Sequence, residues 1–319
     1  VPVSFSAETD SQRISGTGGP CRTQQVIGSA RVERRLPEAG LEVTREGTPP
    51  PGFTALRIDS RLVTPGDLFC AIRGTRVDGH SFLDRVAAAG AAGAVVELAG
   101  GASGLPRFVV SDSRIAASHL AELFQGDPAR RLTIAGITGT NGKTTTALLL
   151  RHLTSHRMAS AAVGTLGTLH PDGRLEEGRL TTPDALGLSA TLRALLDEGA
   201  RFVAMEVSSH ALEQHRADAI PLAVAVFTNL TRDHLDYHVD MRAYREAKLR
   251  LIELLGQDGG CAVNADEPAW SSEAFGSAQV LRYGFDATAD VRAEDPRFSA
   301  GGSEWDLVTP SGRSEVRLP

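Results

Sequence analysis

From Phe53 onward the apolar positions change period again and again, short runs alternating with stretches spaced at three and four residues. The runs predict strands at A-L-R-I-D-S-R from Ala55, D-L-F-C-A-I from Asp67, and residues 92–98 and 106–112. Between them, residues 82–89 read as helical, and residues 113–124 as an amphipathic helix capped by Asp112 or Ser113. After G-D-P-A-R-R, a linker at 126–131, the pattern restarts with the strand L-T-I-A-G-I-T from Leu132 and a helix opening near Gly142. Further strands are expected at 161–165, 202–207, 222–229 and 261–264, with helices at 185–198 and 241–255. Beyond Asp290 the helical period is gone, and E-W-D-L-V-T-P-S-G-R-S-E-V-R-L predicts a hairpin turning at Pro310 to Gly312. The first fifty or so residues are polar, glycine-rich and aperiodic, closing on T-P-P-P-G, and are expected to be irregular.

This is the pattern of an α/β protein. The expected division is an irregular segment over 1–52, a small α/β domain over 53–128, and a larger α/β domain with a mostly parallel sheet over 129–319.

The sharpest chemical signal is G-I-T-G-T-N-G-K-T-T, from Gly136 to Thr145. The strict phosphate-loop spacing requires glycine where Ile137 stands, so that pattern fails. The physical requirements are nevertheless met by Gly136, Gly139, Gly142, Lys143 and Thr144 between an apolar strand and a helix N-terminus. Glycines let backbone N–H groups point at phosphate oxygens, Lys143 reaches the β- and γ-phosphates, and the Thr144 hydroxyl suits Mg²⁺. The chain is therefore expected to bind a nucleoside triphosphate, ATP with Mg²⁺. A switch GTPase is disfavoured, because no N-K-x-D segment reads the base.

Downstream, Glu206 closes the apolar strand R-F-V-A-M-E, where a carboxylate suits Mg²⁺ opposite the loop. The following strand ends in T-N-L-T-R-D-H-L-D-Y-H, which crowds Asn229, Asp233, His234, Asp236 and His238 where open α/β sheets bind ligands. Spacing does not choose among them. Lys248, in A-Y-R-E-A-K-L, looks by composition like an ordinary helix lysine.

Composition narrows the classes. Hydrophobic content of 41% and charged content of 23% are those of a soluble globular chain, and the net charge of −6 argues against a general nucleic-acid binder. Cys21, Cys70 and Cys261 form no C-x-x-C pair, so neither a disulfide framework nor a zinc site is expected and a reducing cytoplasm fits. No apolar run has the length of a membrane span, and V-P-V-S-F-S-A-E-T-D has no basic start, so neither membrane insertion nor a secretion signal is expected.

Taken together the motifs resemble the ATP-dependent Mur ligases of peptidoglycan synthesis, in the branch that adds the third stem-peptide residue. The resemblance runs from about Ile58 to Pro319 and rests on D-S-R-L-V-T-P-G-D-L-F-C-A-I-R-G, G-I-T-G-T-N-G-K-T-T-T, L-T-T-P-D, M-E-V-S-S-H-A-L-E-Q-H-R, V-F-T-N-L-T-R-D-H-L-D-Y-H and Y-R-E-A-K. It implies a UDP-binding first domain and a phosphate-loop ATPase domain. The substrates it implies are UDP-N-acetylmuramoyl-dipeptide and a diamino acid, diaminopimelate by default, joined through an acyl phosphate by a cytoplasmic monomer.

By the same resemblance Ser60, Thr75, Arg76 and Val77 contact the UDP end, and Thr181, Thr182, Ser208, Gln214 and Arg216 the muramoyl-dipeptide. Gly139, Thr140, Asn141, Gly142, Lys143, Thr144 and Thr145 hold ATP, with Asn264 and Asp266 near its base. Thr144, Glu206, His234 and Lys248 hold Mg²⁺, Lys248 after carbamylation by CO₂, and Lys143, Lys248 and His234 serve the chemistry. Family members continue with a glycine-arginine segment and a third, Rossmann-like domain that selects the incoming amino acid. The chain, opening on Val1 and ending at Pro319, is accordingly expected to be a fragment that binds nucleotides with little ligation of its own. The alternatives are a relative with another acceptor, such as the tripeptide-adding enzyme or folylpolyglutamate synthetase, and a non-catalytic nucleotide-binding module.

Overall fold

The computed structural model describes residues 26–74, 77–100, 104–234, 236–270 and 272–318. Its first unit contains β1 (Ile27–Gly28), α1 (Ser29–Glu38), β2 (Val43–Glu46), β3 (Gly52–Phe53), β4 (Leu56–Arg57), β5 (Leu68–Cys70), α2 (Leu83–Ala88), β6 (Gly93–Val96), β7 (Arg107–Val110) and α3 (Ser113–Gln125). Strands β4 to β7 pair in parallel, β2 closes one edge antiparallel to β7, and β1 pairs separately with β3. The alternation of side chains sorts this sheet into two cores. Leu68, Cys70 and Val95 face α1 and α3, while Phe69, Ala94 and Val96 face α2. Asp112 is the residue that caps α3, accepting from the Arg114 and Ile115 N–H groups.

The expectation of an irregular segment over 1–52 is corrected for the part that is described. Residues 27–53 hold β1, α1, β2 and β3, while residues 1–25 lie outside the described residues. Helix α1 buries Val32 and Leu36, one turn apart, against α3. Two large apolar residues among five charged ones leave too little period to read, and Pro37 sits inside the last turn. The segment 126–131 is likewise no loose linker. Pro128 and Ala129 are buried in a 3₁₀ turn, and the Asp127 carboxylate meets the Arg35 guanidinium at 2.7 Å.

The second unit contains β8 (Thr133–Thr138), α4 (Lys143–Ser155), β9 (Ser160–Gly164), β10 (Gly167–Leu169), β11 (Leu175–Glu176), α5 (Ala185–Asp197), β12 (Phe202–Glu206), α6 (Ser209–Glu213), β13 (Leu222–Phe227), α7 (Met241–Leu249), β14 (Leu255–Asn264), β15 (Gln279–Gly284), β16 (Val291–Ser299), β17 (Gly302–Thr309) and β18 (Gly312–Leu318). They form one sheet in the order β11-β10-β9-β12-β8-β13-β14-β15-β16-β17-β18, parallel from β9 to β16 and antiparallel at both ends. The chain leaves β8 for β9 on one side, returns to β12, then passes to β13 on the other side, so the strand order reverses around β8. Ligand clefts of open α/β sheets form outside the strand C-termini at such a reversal.

The turn expected at Pro310 to Gly312 joins β17 to β18. The helix expected over 241–255 stops at Leu249, because Arg250–Leu254 tighten into a 3₁₀ turn and Leu255 already starts β14. The hairpin β10–β11, the short α6 and strand β15 were beyond reach of periodicity, being two to six residues long.

The units meet through α3 and α5. Glu122 on α3 is buried and accepts from Ser189 Oγ at 2.7 Å and from the Ala129 N–H at 3.0 Å. Burial pushes its carboxyl above the usual range, with the two donors pulling against that. A carboxyl whose pKa is higher in the folded chain weakens the fold as it ionises, from about pH 4.3 upward. Glu122→Gln can still accept from Ala129 and donate to Ser189. It is expected to raise the melting temperature relative to the parent chain at about pH 8 and to lose that gain at about pH 4; the same offset at both pH values in a thermal melt rules this out.

Candidate active site at the end of strand β8

The loop after β8 lies directly on the end of β13. Gly139 has φ +142°, and a Cβ there would stand 1.8 Å from Thr228 Oγ1. Only glycine fits, on grounds of both backbone and space. The Thr140 N–H donates to the Asn229 carbonyl at 2.8 Å, the Asn141 N–H to Asn229 Oδ1 at 2.9 Å, and Thr228 Oγ1 to the Asn141 carbonyl at 2.7 Å. Thr140 Oγ1 also bridges both backbone groups of Thr231 and lies 3.3 Å from Tyr244 Oη. Gly142, at φ +82°, starts α4 without a side-chain cap, so the first turn of the helix presents N–H groups to an anion.

Two ammonium groups converge on this loop. Lys143 Nζ donates to the carbonyls of Gly139 at 3.0 Å and Thr140 at 2.8 Å, and Lys248 Nζ to the same Gly139 carbonyl at 2.8 Å. Lys248 reaches it from α7, is 1% exposed, and rests over the Tyr244 ring at 4.4 Å from the centroid. Burial, then the charge of Lys143, bring the Lys248 amine down to about 7 against the pull of Asp233. Burial lowers Lys143 as well, with Glu206 and Asp233 opposing. A primary amine with a pKa near 7 is partly neutral at neutral pH, a state a guanidinium does not reach.

The α7 pattern hides this. The signal lay in composition instead: Lys143 and Lys248 are the only lysines in 319 residues, against 31 arginines.

Glu206, at the end of β12, is 1% exposed. Its carboxylate accepts from the Thr165 N–H at 2.9 Å and from Thr165 Oγ1 at 3.1 Å. Gly164 makes room, since a Cβ there would stand 2.0 Å from Glu206 Oε1. Thr144 and Glu206 both line one small cavity of about 20 Å³, walled otherwise by apolar side chains and glycines.

Beside it, five residues expected to hold the muramoyl-dipeptide form one connected group. Thr182 Oγ1 donates to the Glu206 carbonyl at 3.0 Å and accepts from the Ser208 N–H at 3.1 Å. Arg216 donates to the Thr182 carbonyl at 2.8 Å and grips Gln214 Oε1 with two nitrogens. Thr181 Oγ1 lies 3.1 Å from Thr165 Oγ1, which ties it to Glu206.

The other expected residues are less gathered. His234 sits on an exposed turn at φ +52°, 3.5 Å from Asp233, with its ring 5.0 Å from that of His210 and 6.2 Å from that of Tyr244. Asn264 ends β14, two strands from β8, and accepts from the Asp266 N–H at 3.0 Å beside a cavity of about 360 Å³ lined by Tyr283, Phe285, Phe298 and Trp305. Ser60 is buried in the turn after β4 and Val77 is exposed, while Thr75 and Arg76 lie outside the described residues. Among the described residues, no three His, Cys, Asp or Glu side chains stand together as a metal site. Any Mg²⁺ set here mixes hydroxyl and carboxylate oxygens with groups brought in separately. Sequence reasoning missed Thr165 and Gly164, which shape the Glu206 pocket, and Tyr244, which underlies Lys248.

Known proteins resemble this chain over both units. Residues 137–319 match the model of the Mur ligase middle domain, and residues 53–127 that of the Mur ligase family catalytic domain. The chain is 40% identical over 291 residues to UDP-N-acetylmuramoyl-L-alanyl-D-glutamate--2,6-diaminopimelate ligase of Gloeobacter violaceus, covering 91% of this chain and 59% of the relative. It is 44% identical over 282 residues to the protein of the same name in Geobacter sulfurreducens, covering 85% and 54%. A solved structure of a ligase of that name superposes with a TM-score of 0.68 at 29% identity, over 83% of this chain and 55% of the other. The chain thus spans a little over half the length of these curated relatives.

The fit of Gly139 against β13 is testable by calorimetry with Mg-ATP. Gly139→Ala is expected to weaken binding by about 2 kcal/mol or more, roughly thirtyfold, because the loop must leave Thr228 to relieve the clash. Gly142→Ala, with nothing within 4 Å of its added methyl, meets only backbone strain and should cost less. Equal losses in the two variants count against this account of the loop.

Proposed function

The chain belongs to the Mur ligase family, and on that premise we propose that it carries the UDP-substrate and ATP-binding parts of a cytoplasmic, ATP-dependent ligase. Its reaction joins a diamino acid, meso-diaminopimelate, to UDP-N-acetylmuramoyl-L-alanyl-D-glutamate in peptidoglycan synthesis. The observation that carries this reading is the buried Lys248 amine meeting Lys143 at the Gly139 carbonyl. A simple nucleotide-binding module has no use for a second, desolvated lysine under its phosphate loop. The curated relatives that bear this ligase name support the substrate assignment.

In the reaction so assigned, ATP lays its phosphates on the N–H groups between Gly139 and Thr145, and Lys143 exchanges its loop carbonyls for the β- and γ-phosphate oxygens. Thr181, Thr182, Ser208, Gln214 and Arg216 hold the muramoyl-dipeptide so that the D-glutamate side-chain carboxylate faces the γ-phosphorus. A carboxylate oxygen attacks phosphorus, the bond to the ADP oxygen breaks, and an acyl phosphate and ADP result. The amine of the diamino acid then attacks the acyl carbon, phosphate leaves with the bonding electrons, and the amine gives up a proton as the amide forms. The work of the protein is positioning and charge screening. Thr144, Glu206, His234 and a carbamylated Lys248 are the residues to hold Mg²⁺, which when bound screens the phosphate charge. The low pKa of Lys248 leaves a neutral amine to add CO₂, losing a proton and becoming an oxygen donor. Ser60 and the segment Thr75 to Val77 take the UDP end, and Asn264 stands by the adenine.

The test begins with binding of UDP-N-acetylmuramoyl-L-alanyl-D-glutamate, followed by ATP-dependent phosphate release with diaminopimelate or lysine as acceptor. Binding of this nucleotide is expected, and no binding sinks the assignment. In whichever form of the protein turns over, Lys248→Arg is expected to lose about 10³-fold in rate, roughly 4 kcal/mol, because a guanidinium cannot take up CO₂. A Lys248→Arg variant at more than a tenth of the parent rate, by about one decade of the same assay, refutes the role given to the amine.

A further inference from the structure

His238 is 3% exposed and has no part in the chemistry above. Its imidazole is held at both nitrogens by α6: Nε2 lies 2.9 Å from Ser209 Oγ and Nδ1 3.2 Å from Glu213 Oε2. The carboxylate fixes the proton on Nδ1, leaving Nε2 to accept from the serine hydroxyl. The flat of the ring is left for α7. It packs on Tyr244 with centroids 5.1 Å apart and planes at 42°, while the rings of Tyr237 and His210 close two other sides at 5.0 and 5.6 Å. Tyr244 in turn puts its hydroxyl 3.3 Å from Thr140 Oγ1 and its ring under Lys248 Nζ. The chain of contacts thus runs from buried Ser209 and exposed Glu213 through His238 and Tyr244 to the phosphate loop and its second lysine.

We propose that His238 is a positioning residue that holds Tyr244 in place and thereby keeps the Lys248 amine seated under the Gly139 carbonyl. The importance of that amine rests on the ligase reading; the mechanical link stands on the contacts alone. A phenylalanine at this position keeps the ring face but strands the Ser209 hydroxyl, and an alanine loses both. A glutamine keeps a donor and an acceptor at similar reach. Neutral burial suits the role: desolvation lowers the imidazole pKa, with Glu213 opposing, so the ring carries no charge to set against Lys248.

The chain is suited to a direct test, because its only side-chain amines are Lys143 and Lys248. Trace labelling of the purified chain with acetic anhydride, read by peptide mass, gives Lys143 and the α-amine as internal standards. His238→Ala is expected to speed labelling of Lys248 by about fivefold or more relative to those standards, as water reaches the loosened amine, and His238→Gln to stay within about twofold of the parent. Tyr244→Leu breaks the same link from the other side, so it should reproduce the rise, and the double variant should add little to either single one. If His238→Ala fails to fold, the Tyr244→Leu result decides. Parent-like labelling of Lys248 in the folded variants overturns the proposal, as does an equal rise at Lys143, which marks general loosening. Failure of the ligase reading is separate: it shows as no binding of UDP-N-acetylmuramoyl-L-alanyl-D-glutamate to the parent chain, on which the labelling does not depend.

Discussion

The site depends on one close approach, the seating of Gly139 against Thr228 at the ends of β8 and β13. With 1.8 Å between the Thr228 hydroxyl oxygen and the place of a missing Cβ, the loop has no room to drift. The Gly139 carbonyl is the acceptor that Lys143 and Lys248 share. The same contact lets Asn229 bond Asn141 in both directions, through its side-chain oxygen and its amide nitrogen. A phosphate loop normally takes its shape from its own glycines. Here the loop is also bonded to Thr228 and Asn229, just beyond β13, while Ile137 stands where the strict pattern has glycine.

Charge follows from this packing. The chain is acidic overall, at −6, yet its phosphate site concentrates two ammonium groups and a helix N-terminus in a few ångströms. Like charges sharing one acceptor repel strongly when buried, and the balance is restored by lowering the proton affinity of the more buried partner, Lys248. Glu206 and Asp233 offset part of the effect on Lys143. The two lysines are therefore coupled through the one carbonyl they share.

How much of this could be read from the sequence depended on the range of the interaction. The loop, the strand ends carrying Glu206 and His234, and the hairpin at Pro310 to Gly312 are local patterns, and local patterns show in spacing and turn chemistry. Helix α1 was lost because its charged residues outnumber the two that anchor it. Lys248 was lost for a different reason. Its burial is decided by Gly139, 109 positions away, and no window of sequence contains both. The family resemblance pointed to it, and the scarcity of lysine pointed to it independently. His234 shows the reverse case: a prominent motif residue that the fold leaves on an exposed turn, in contact with Asp233 and His210 more than with the loop.

The segment from Thr182 to Ser189 ties the two units together, beside the Ala219 N–H bond to Ser118 Oγ. Thr182 fixes the backbone of Glu206 and Ser208 on the ATP side. Three residues on, Ala185 is buried in the core of the first unit, and Ser189 closes on the buried Glu122. Asp184 caps α5 between these anchors through the Gly187 N–H. A ligand that reaches across both units meets a distance fixed by these contacts. That distance is measured along the start of α5, which grips Glu206 at one end and the neighbouring domain at the other. Thr182 and Ser189 thus place the Glu206 site and the contact between the units on one short stretch of chain.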